Sequence, residues 1–594
     1  MNQGQRQRRQ GGDRQGWQPL SNRQRWWRLL SGLLLGLLLV QVGLIRPAPA
    51  QPKVSNYELS QAAPFNRVES YPITPLPSSP NYRPMGEWLG RLVLPSEESY
   101  ATDPGDWAWL EVWHAPADQA GLVGQLVKLT WRASPLIQAY LEQVTTDIEF
   151  TDKATKFGSG GNLVPFRLNG RKAVGPLQSL AGARPNDDLT VKLVGNPDVV
   201  STDGITTVEI GLEPVQVTGR EYGLVKILEP DTSVDAPLPA VCPGTQPCPT
   251  EYFRVQHFDA NTRDFTGDTE TVRIPQQPLL KGDRFFANIR ELAASPAGQS
   301  GWYISGSRDE AGVFTVQALQ PRQFLQLQPD EVILGEKSGR YYIDRENWAD
   351  MRSRKGTVQS ILVSPTADTA STARTQWQPG DYGLVIHLCG GIGGENKEFT
   401  PVGTVTGHFA YGLAQVIKEP IAQEPQFQIN YQQIYAHNSG GIISGTLDWS
   451  AYSGDMQRGW LGTRPLSDIV VKLDYFTQDL QLGDTTLSLF KELLIELQII
   501  AARYRTGDGT GASTITPATS CVQDSNQALF IAIQQIKRKA ETDPNLVAYI
   551  EANPNDPNVQ KVDEFAALAN DLANTLTPYG VIRSDWVNNC LLYT

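Results

Sequence analysis

Cysteine is scarce in this chain, with five in 594 residues, which excludes a disulfide-dense scaffold. No second cysteine pair and no His-x-x-x-His completes a tetrahedral set with Cys242 and Cys248, so neither zinc nor any other metal is expected. The glycine-rich stretch Tyr504 to Ala512 lacks the Gly-Lys-Ser/Thr of a phosphate loop and the strand-to-helix setting of a dinucleotide fingerprint. No cofactor is expected; the stretch reads as a flexible loop leading to residues 516–521. Charged residues make up only 19 % of the chain, with a formal net charge of −12. Such a chain is a poor partner for nucleic acid. Long hydrophobic runs are missing too, apart from one.

That run, Leu29 to Ile45, follows seven arginines between Arg6 and Arg28 and precedes Ala48-Pro49-Ala50, an export signal with an A-x-A site. Residues 1–50 therefore read as a signal peptide, or as a membrane anchor, since the run approaches spanning length and Arg46 lies just beyond it. Shedding eight arginines and Asp13 takes the formal charge from −12 to −19. An acidic body on the periplasmic or thylakoid-lumen side is the expectation. In an oxidising compartment Cys242 and Cys248, which flank a Pro-Gly turn, can close a small disulfide loop; two unpaired loop thiols is the alternative.

The expected fold class is α+β. Residues 51–84 are rich in Pro, Ser and Asn and read as a linker. Residues 85–363 alternate short apolar runs with Gly, Pro and Asp clusters, which predicts one or two β-rich barrel or sandwich modules, with one helix over Leu280 to Ala297. A Thr/Ser/Ala stretch from Ser364 to Arg374 marks a boundary. Beyond it, residues 375–594 show strands at Tyr382 to Leu388, His408 to Ile417 and Phe427 to Tyr435. Three helices follow, with apolar faces at Phe490, Leu493, Leu497, Ile500 and Tyr504, at Val522, Leu529, Ile533 and Ile536, and at Val562, Phe565, Leu568, Leu572 and Leu576.

One cysteine occupies a position with chemical meaning. In Ala518-Thr519-Ser520-Cys521-Val522-Gln523-Asp524, Ser520 and Gln523 form an S-x-x-Q capping box, which predicts Cys521 at the first helical position. Backbone N–H groups and the helix dipole favour a thiolate there, the form that attacks carbonyls. If residues 419–424 turn an antiparallel hairpin, residues whose numbers sum to about 844 face each other, setting His408 opposite Ala436 within a residue or two. His437 or Asn438 is then the group expected to orient the His408 ring, with Gln432 and Gln433 one step deeper. A rival nucleophile is Cys389, which shares a strand face with His387. Asp455 to Arg464 carries Trp460 and Arg464, which either line a substrate groove or belong to a packed turn. Packed, non-catalytic roles for Cys521 and His408 remain the plain alternative.

The order strand-His, polar strand end, helix-start Cys resembles the circularly permuted members of the papain-like and NlpC-like superfamily, and Pro379-Gly380-Asp381-Tyr382-Gly383-Leu384 resembles the Gly-Asp entry to their first core strand. The resemblance covers about Trp377 to Ile536. It implies a hydrolase or transferase acting on peptide or acyl bonds, with Cys521 as nucleophile, His408 as base and N–H groups at the helix start in an oxyanion hole.

A second resemblance spans most of the exported body. Met85 to Leu94, Tyr435 to Asn438 with Ile442 to Gly445, Arg458 to Pro465, Tyr504 to Gly509, Thr516 to Asp524 and Arg583 to Trp586 are together similar to the extramembrane region of cyanobacterial proteins described as predicted Abi/CAAX-type proteases. That family name implies an intramembrane metalloprotease with a Glu-Glu-x-x-x-Arg motif and membrane histidines. The chain departs from it: Glu97-Glu98 is followed by Ser-Tyr-Ala-Thr, and His257 to Asn261 lies in a polar segment. A membrane protease domain beyond Thr594, lost by truncation or gene splitting, is the expectation this resemblance carries. Three readings stay open: an exported thiol hydrolase, a non-catalytic module serving a membrane protease, and a structural envelope protein.

Overall fold

The computed structural model describes residues 79–576 apart from 152–172, 185–188, 203, 240–247, 277–291, 350–353, 355, 391–406, 435–441, 463, 473 and 512–519. The fold is mixed α+β. Among the described residues no helix is long and apolar enough to cross a membrane, and the expected signal or anchor, residues 1–50, lies outside them. Residues 280–291 of the expected helix lie outside them as well; the 3₁₀ turns Leu292–Ala294 and Pro296–Gly298 are seen at its end.

The β-rich reading of the first half resolves into two destinations. Tyr82–Pro84, Glu221–Pro230, Tyr252–His257, Thr269–Arg273, Trp302–Arg308 and Phe314–Pro321 form a six-stranded sheet, and a pairing of Glu221–Pro230 with Trp302–Arg308 closes it into a small barrel. Alternation along these strands sends Val225, Ile227, Phe253, Val255, Val272, Ile304, Phe314 and Val316 inward, where they are buried. A register shift between Ile227 and Glu229 bends the strand that makes the closure. Tyr82–Pro84, expected in the linker, is the strand that pairs with Glu221, Tyr222 and Gly223.

The remaining strands build one 14-stranded sheet. Five of them carry the site: β1 (Tyr382–Gly390), β2 (Gly407–Lys418), β3 (Pro425–Gln433), β4 (Gly445–Asp448) and β5 (Leu466–Val471). From edge to edge the order is Glu331–Leu334, Val358–Ser364, β5, β1, β2, β3, β4, Val215–Gln216, Thr190–Leu193, Trp88–Val93, Trp107–His114, Leu126–Trp131, Ile205–Ile210 and Asp198–Thr202. The sheet thus draws strands from both sides of the Ser364 to Arg374 stretch. The join is Val215–Gln216, two residues that run parallel to β4 with Gln216 opposite Leu447.

Buried charge clamps that join. Lys192 Nζ lies 2.7 Å from the Asp448 carboxylate. Arg505, fully buried, donates to both Glu213 oxygens at 3.1 and 2.9 Å, to Ser179 Oγ at 2.9 Å and to the Ser444 carbonyl at 2.9 Å. Charges this far from water persist only when paired and hydrogen-bonded, and the Lys192–Asp448 and Arg505–Glu213 pairs join segments 256 and 292 positions apart.

Three helices pack around the site. The short α1 (Trp449–Tyr452) is capped by Asp448 and wholly buried. α2 (Leu489–Thr506) starts where Ser488 accepts from the Lys491 amide and stops at Gly507, whose φ of 60° is the left-handed geometry that glycine adopts freely. α3 (Cys521–Thr542) buries Leu529, Ile533 and Ile536, as expected, but Val522 is 44 % exposed. A first-turn residue lies beyond the covered stripe. A helix unforeseen in the sequence, Pro544–Ala552, follows α3 directly because Asp543 both ends α3 and caps it. The expected third helix is Pro557–Leu576.

Candidate active site

The thiol, the imidazole and its orienting group come from the start of α3, the start of β2 and the end of β3. Cys521 is the first residue of α3: Ser520 is extended and its side chain accepts from the Gln523 amide. Two tethers fix that helix start. Tyr411 of β2 donates to Asn526 Oδ1 at 2.8 Å, and Tyr504 of α2 donates to Asp524. The backbone amides of Phe409, the residue after His408, of Val522 and of Cys521 itself act on the Cys521 thiol and draw its pKa down. Cys521 is thereby held against the start of β2.

His408 is buried on the sheet face opposite the side chain of Phe409, whereas Cys521 packs with the cluster that holds Phe409. The His408 Nε2 lies 2.5 Å from Gln433 Oε1. With a carbonyl oxygen accepting, Nε2 carries the proton and Nδ1 keeps its lone pair. The hairpin register explains the pair: Tyr411 faces Gln432, a sum of 843, so Gln433 on β3 reaches diagonally back to His408. His437 and Asn438, expected in this role, lie outside the described residues. Gly407 lets β1 and β2 approach here, since a Cβ on it would sit 2.5 Å from the Cys389 carbonyl oxygen.

Electrostatics run against the expectation of a thiolate. Burial pushes the Cys521 thiol up, against the three amides that pull it down. Helix-end fields are worth about 0.3–1 kcal/mol at exposed ends, and loss of hydration outweighs them here. Burial also depresses His408 to about 3, helped by the neighbouring His387 and Arg464 charges and opposed by Gln433. At rest the thiol and the imidazole are therefore both neutral.

A second His pair lies behind the first. His387 and Cys389 share a face of β1, as expected, and Cys389 is directly opposite His408 in register. His387 Nδ1 donates to Asp468 of β5 at 2.5 Å, and Tyr431 donates to the other Asp468 oxygen. His387 Nε2 and the Tyr452 hydroxyl have no hydrogen-bond partner among the described residues. Their rings meet edge to face, with centroids 4.9 Å apart. Tyr452 also lies 6.1 Å from the His408 ring and feels the charge of both Cys389 and Cys521. Asp468 was invisible as a partner in the sequence, because its strand enters the sheet from a distant stretch of chain.

The packed-turn reading holds for the segment that carries Trp460 and Arg464. Asp455 caps the turn by accepting from the Gln457 and Arg458 amides, and the turn is packed. Trp460 nonetheless stacks on the His408 ring at 6.2 Å, and the Arg464 guanidinium lies 4.9 Å over the Trp460 ring while donating to the Gly390 carbonyl. The glycine-rich loop after α2 is anchored: the Glu149 and Thr151 amides donate to the Gly509 and Thr510 carbonyls. Cys248 is disulfide-bonded; its expected partner Cys242 lies outside the described residues. Among the described residues no group of His, Cys, Asp and Glu is arranged to hold a metal ion.

No family model matches this chain, and neither a curated protein nor a solved structure matches it.

Proposed function

We propose that the chain is a thiol hydrolase or acyl transferase of the permuted papain-like kind, acting on peptide or acyl bonds outside the cytoplasm. The observation that carries this reading is His408, whose Nε2 donates to Gln433 Oε1 while the amide of the next residue, Phe409, acts on the Cys521 thiol. In the proposed reaction His408 Nδ1 accepts the thiol proton as the sulfur attacks the carbonyl carbon. The Gln433 carbonyl steadies the imidazolium. Amides of Cys521 and Val522 receive the developing oxyanion, His408 returns the proton to the leaving group, and water, or an acceptor amine or hydroxyl, releases the acyl group from sulfur. Trp460 and Arg464 form the wall of the substrate groove beside the imidazole.

A second reading, the non-catalytic partner of an Abi/CAAX-type membrane protease domain tethered by the N-terminal segment, draws on the dry setting of the thiol and the imidazole, which shifts both away from a reactive ion pair. Labelling with an iodoacetamide probe, mapped by mass spectrometry across pH, separates the two. The catalytic reading expects Cys521 to label, with a rate that rises toward alkaline pH and drops in His408→Ala. No labelling at Cys521 up to pH ~10, near the upper end of thiol titration, or labelling indifferent to His408→Ala, refutes it.

A further inference from the structure

Outside the thiol site, a cavity of about 350 Å³ lies between the barrel and the large sheet, within the about 300–1,000 Å³ common for small-molecule sites. Its walls are mainly apolar, from Met85, Leu319, Leu325, Ile417, Phe427 and Ile429. Two phenol rings, Tyr222 and Tyr303, also line it, with centroids 6.0 Å apart and planes inclined by 60°.

Glu419 gives the cavity its sign. This side chain is buried, and both of its oxygens accept: Oε1 from the Tyr222 hydroxyl at 3.0 Å, Oε2 from the Ile421 and Ala422 amides. A carboxyl group that only accepts is ionised. No Lys, Arg or His among the described residues pairs with it, although buried carboxylates ordinarily recruit a cation. The other charges of the wall do not supply one. Lys192 is committed to Asp448, Arg83 donates to the carbonyls of Ser79, Pro80 and Tyr82, and Glu87 adds a further negative charge. Burial, and after it the charge of Glu419, pushes both phenols well above their ordinary range.

We propose that this cavity binds an organic ammonium ion, with the cationic head in the cavity against the paired Tyr222 and Tyr303 rings and near Glu419, and the alkyl part against the apolar wall. Aromatic ring faces and a dry carboxylate both favour a weakly hydrated cation over a neutral molecule of the same shape. The site is independent of the thiol chemistry.

Calorimetric titration of the full chain with choline and with its uncharged carbon isostere 3,3-dimethyl-1-butanol tests this. Choline is expected to bind at least about tenfold more tightly than the isostere, and Glu419→Gln to remove that preference. Glutamine keeps an oxygen for the Ile421 and Ala422 amides. Should that variant still fail to fold, Tyr222→Phe is expected to retain choline binding and Tyr222→Leu to lose at least about tenfold. Cys521→Ala binds choline as the unaltered chain does. Equal binding of the isostere, no choline binding, or retention of choline affinity in Tyr222→Leu overturns the proposal.

Discussion

Glu496, on α2, is a buried carboxyl group with no cation beside it, and replacing it by glutamine gives a quantitative test of how the interior treats charge. Burial, reinforced by the nearby Glu492 charge, raises its pKa from the ordinary 4.5 to about 8. Below pH 4.5 the group is protonated whether the chain is folded or not, and it carries no penalty. As pH rises from 4.5 to 8 the unfolded chain releases the proton while the folded chain holds it, so stability falls by about 1.4 kcal/mol per pH unit. Above pH 8 both states are ionised and the loss levels off. A gap of about 3.5 units corresponds to about 5 kcal/mol in all. Glu496→Gln removes the titration while keeping the shape of the protonated acid. Urea unfolding at pH 5 is expected to find variant and parent within about 1 kcal/mol, because little of the penalty has accumulated there. At pH 9 the variant is expected to be more stable by about 4–5 kcal/mol. An advantage that is the same at both pH values, or absent at pH 9, refutes the reasoning.

The remaining predictions concern the site and the join. Gln433→Ala is expected to lower kcat by at least about tenfold with little change in KM, a fraction of the about 10²–10⁴ that a general base contributes; an unchanged kcat removes Gln433 from the mechanism. Because His408 stays neutral down to about 3, the acid limb of the kcat/KM profile is expected near that pH, and a limb near 6 contradicts the described geometry. The same depression makes His408 oppose Glu496: its stabilising contribution is fully present above pH 6.5 and is lost as pH falls toward 3. Arg505→Met leaves Glu213 buried without a counter-charge and is expected to destabilise by about 3–5 kcal/mol in urea unfolding, most of it recovered by adding Glu213→Leu.

Local chemistry was legible in the sequence and long-range pairing was not. The capping Ser520 put Cys521 at its helix start, strand alternation put His387 and Cys389 on one face, and the hairpin arithmetic came within one residue of the Tyr411 to Gln432 register. Each depends on residues a few positions apart or across one turn. The ionisation of Cys521 was misread because the cap is local while burial is a property of everything packed around it. Asp468 reaches His387 from 81 positions away, and Val215–Gln216 is too short to show a period. Gln433 was weighed only as a deeper neighbour, since diagonal reach depends on where His408 points, which spacing alone does not fix.

The two-residue strand Val215–Gln216 has a consequence for how the chain can be divided. A fragment beginning near residue 375 would carry β4 with its outer hydrogen-bonding row bare, an invitation to stack with other copies. The same cut would strand Asp448 without Lys192 and Arg505 without Glu213. A protease nick in the exposed stretch around Asp231 to Ala236, by contrast, would leave both pieces clasped through the sheet, so the molecule would show two bands on a denaturing gel and still behave as one particle in solution.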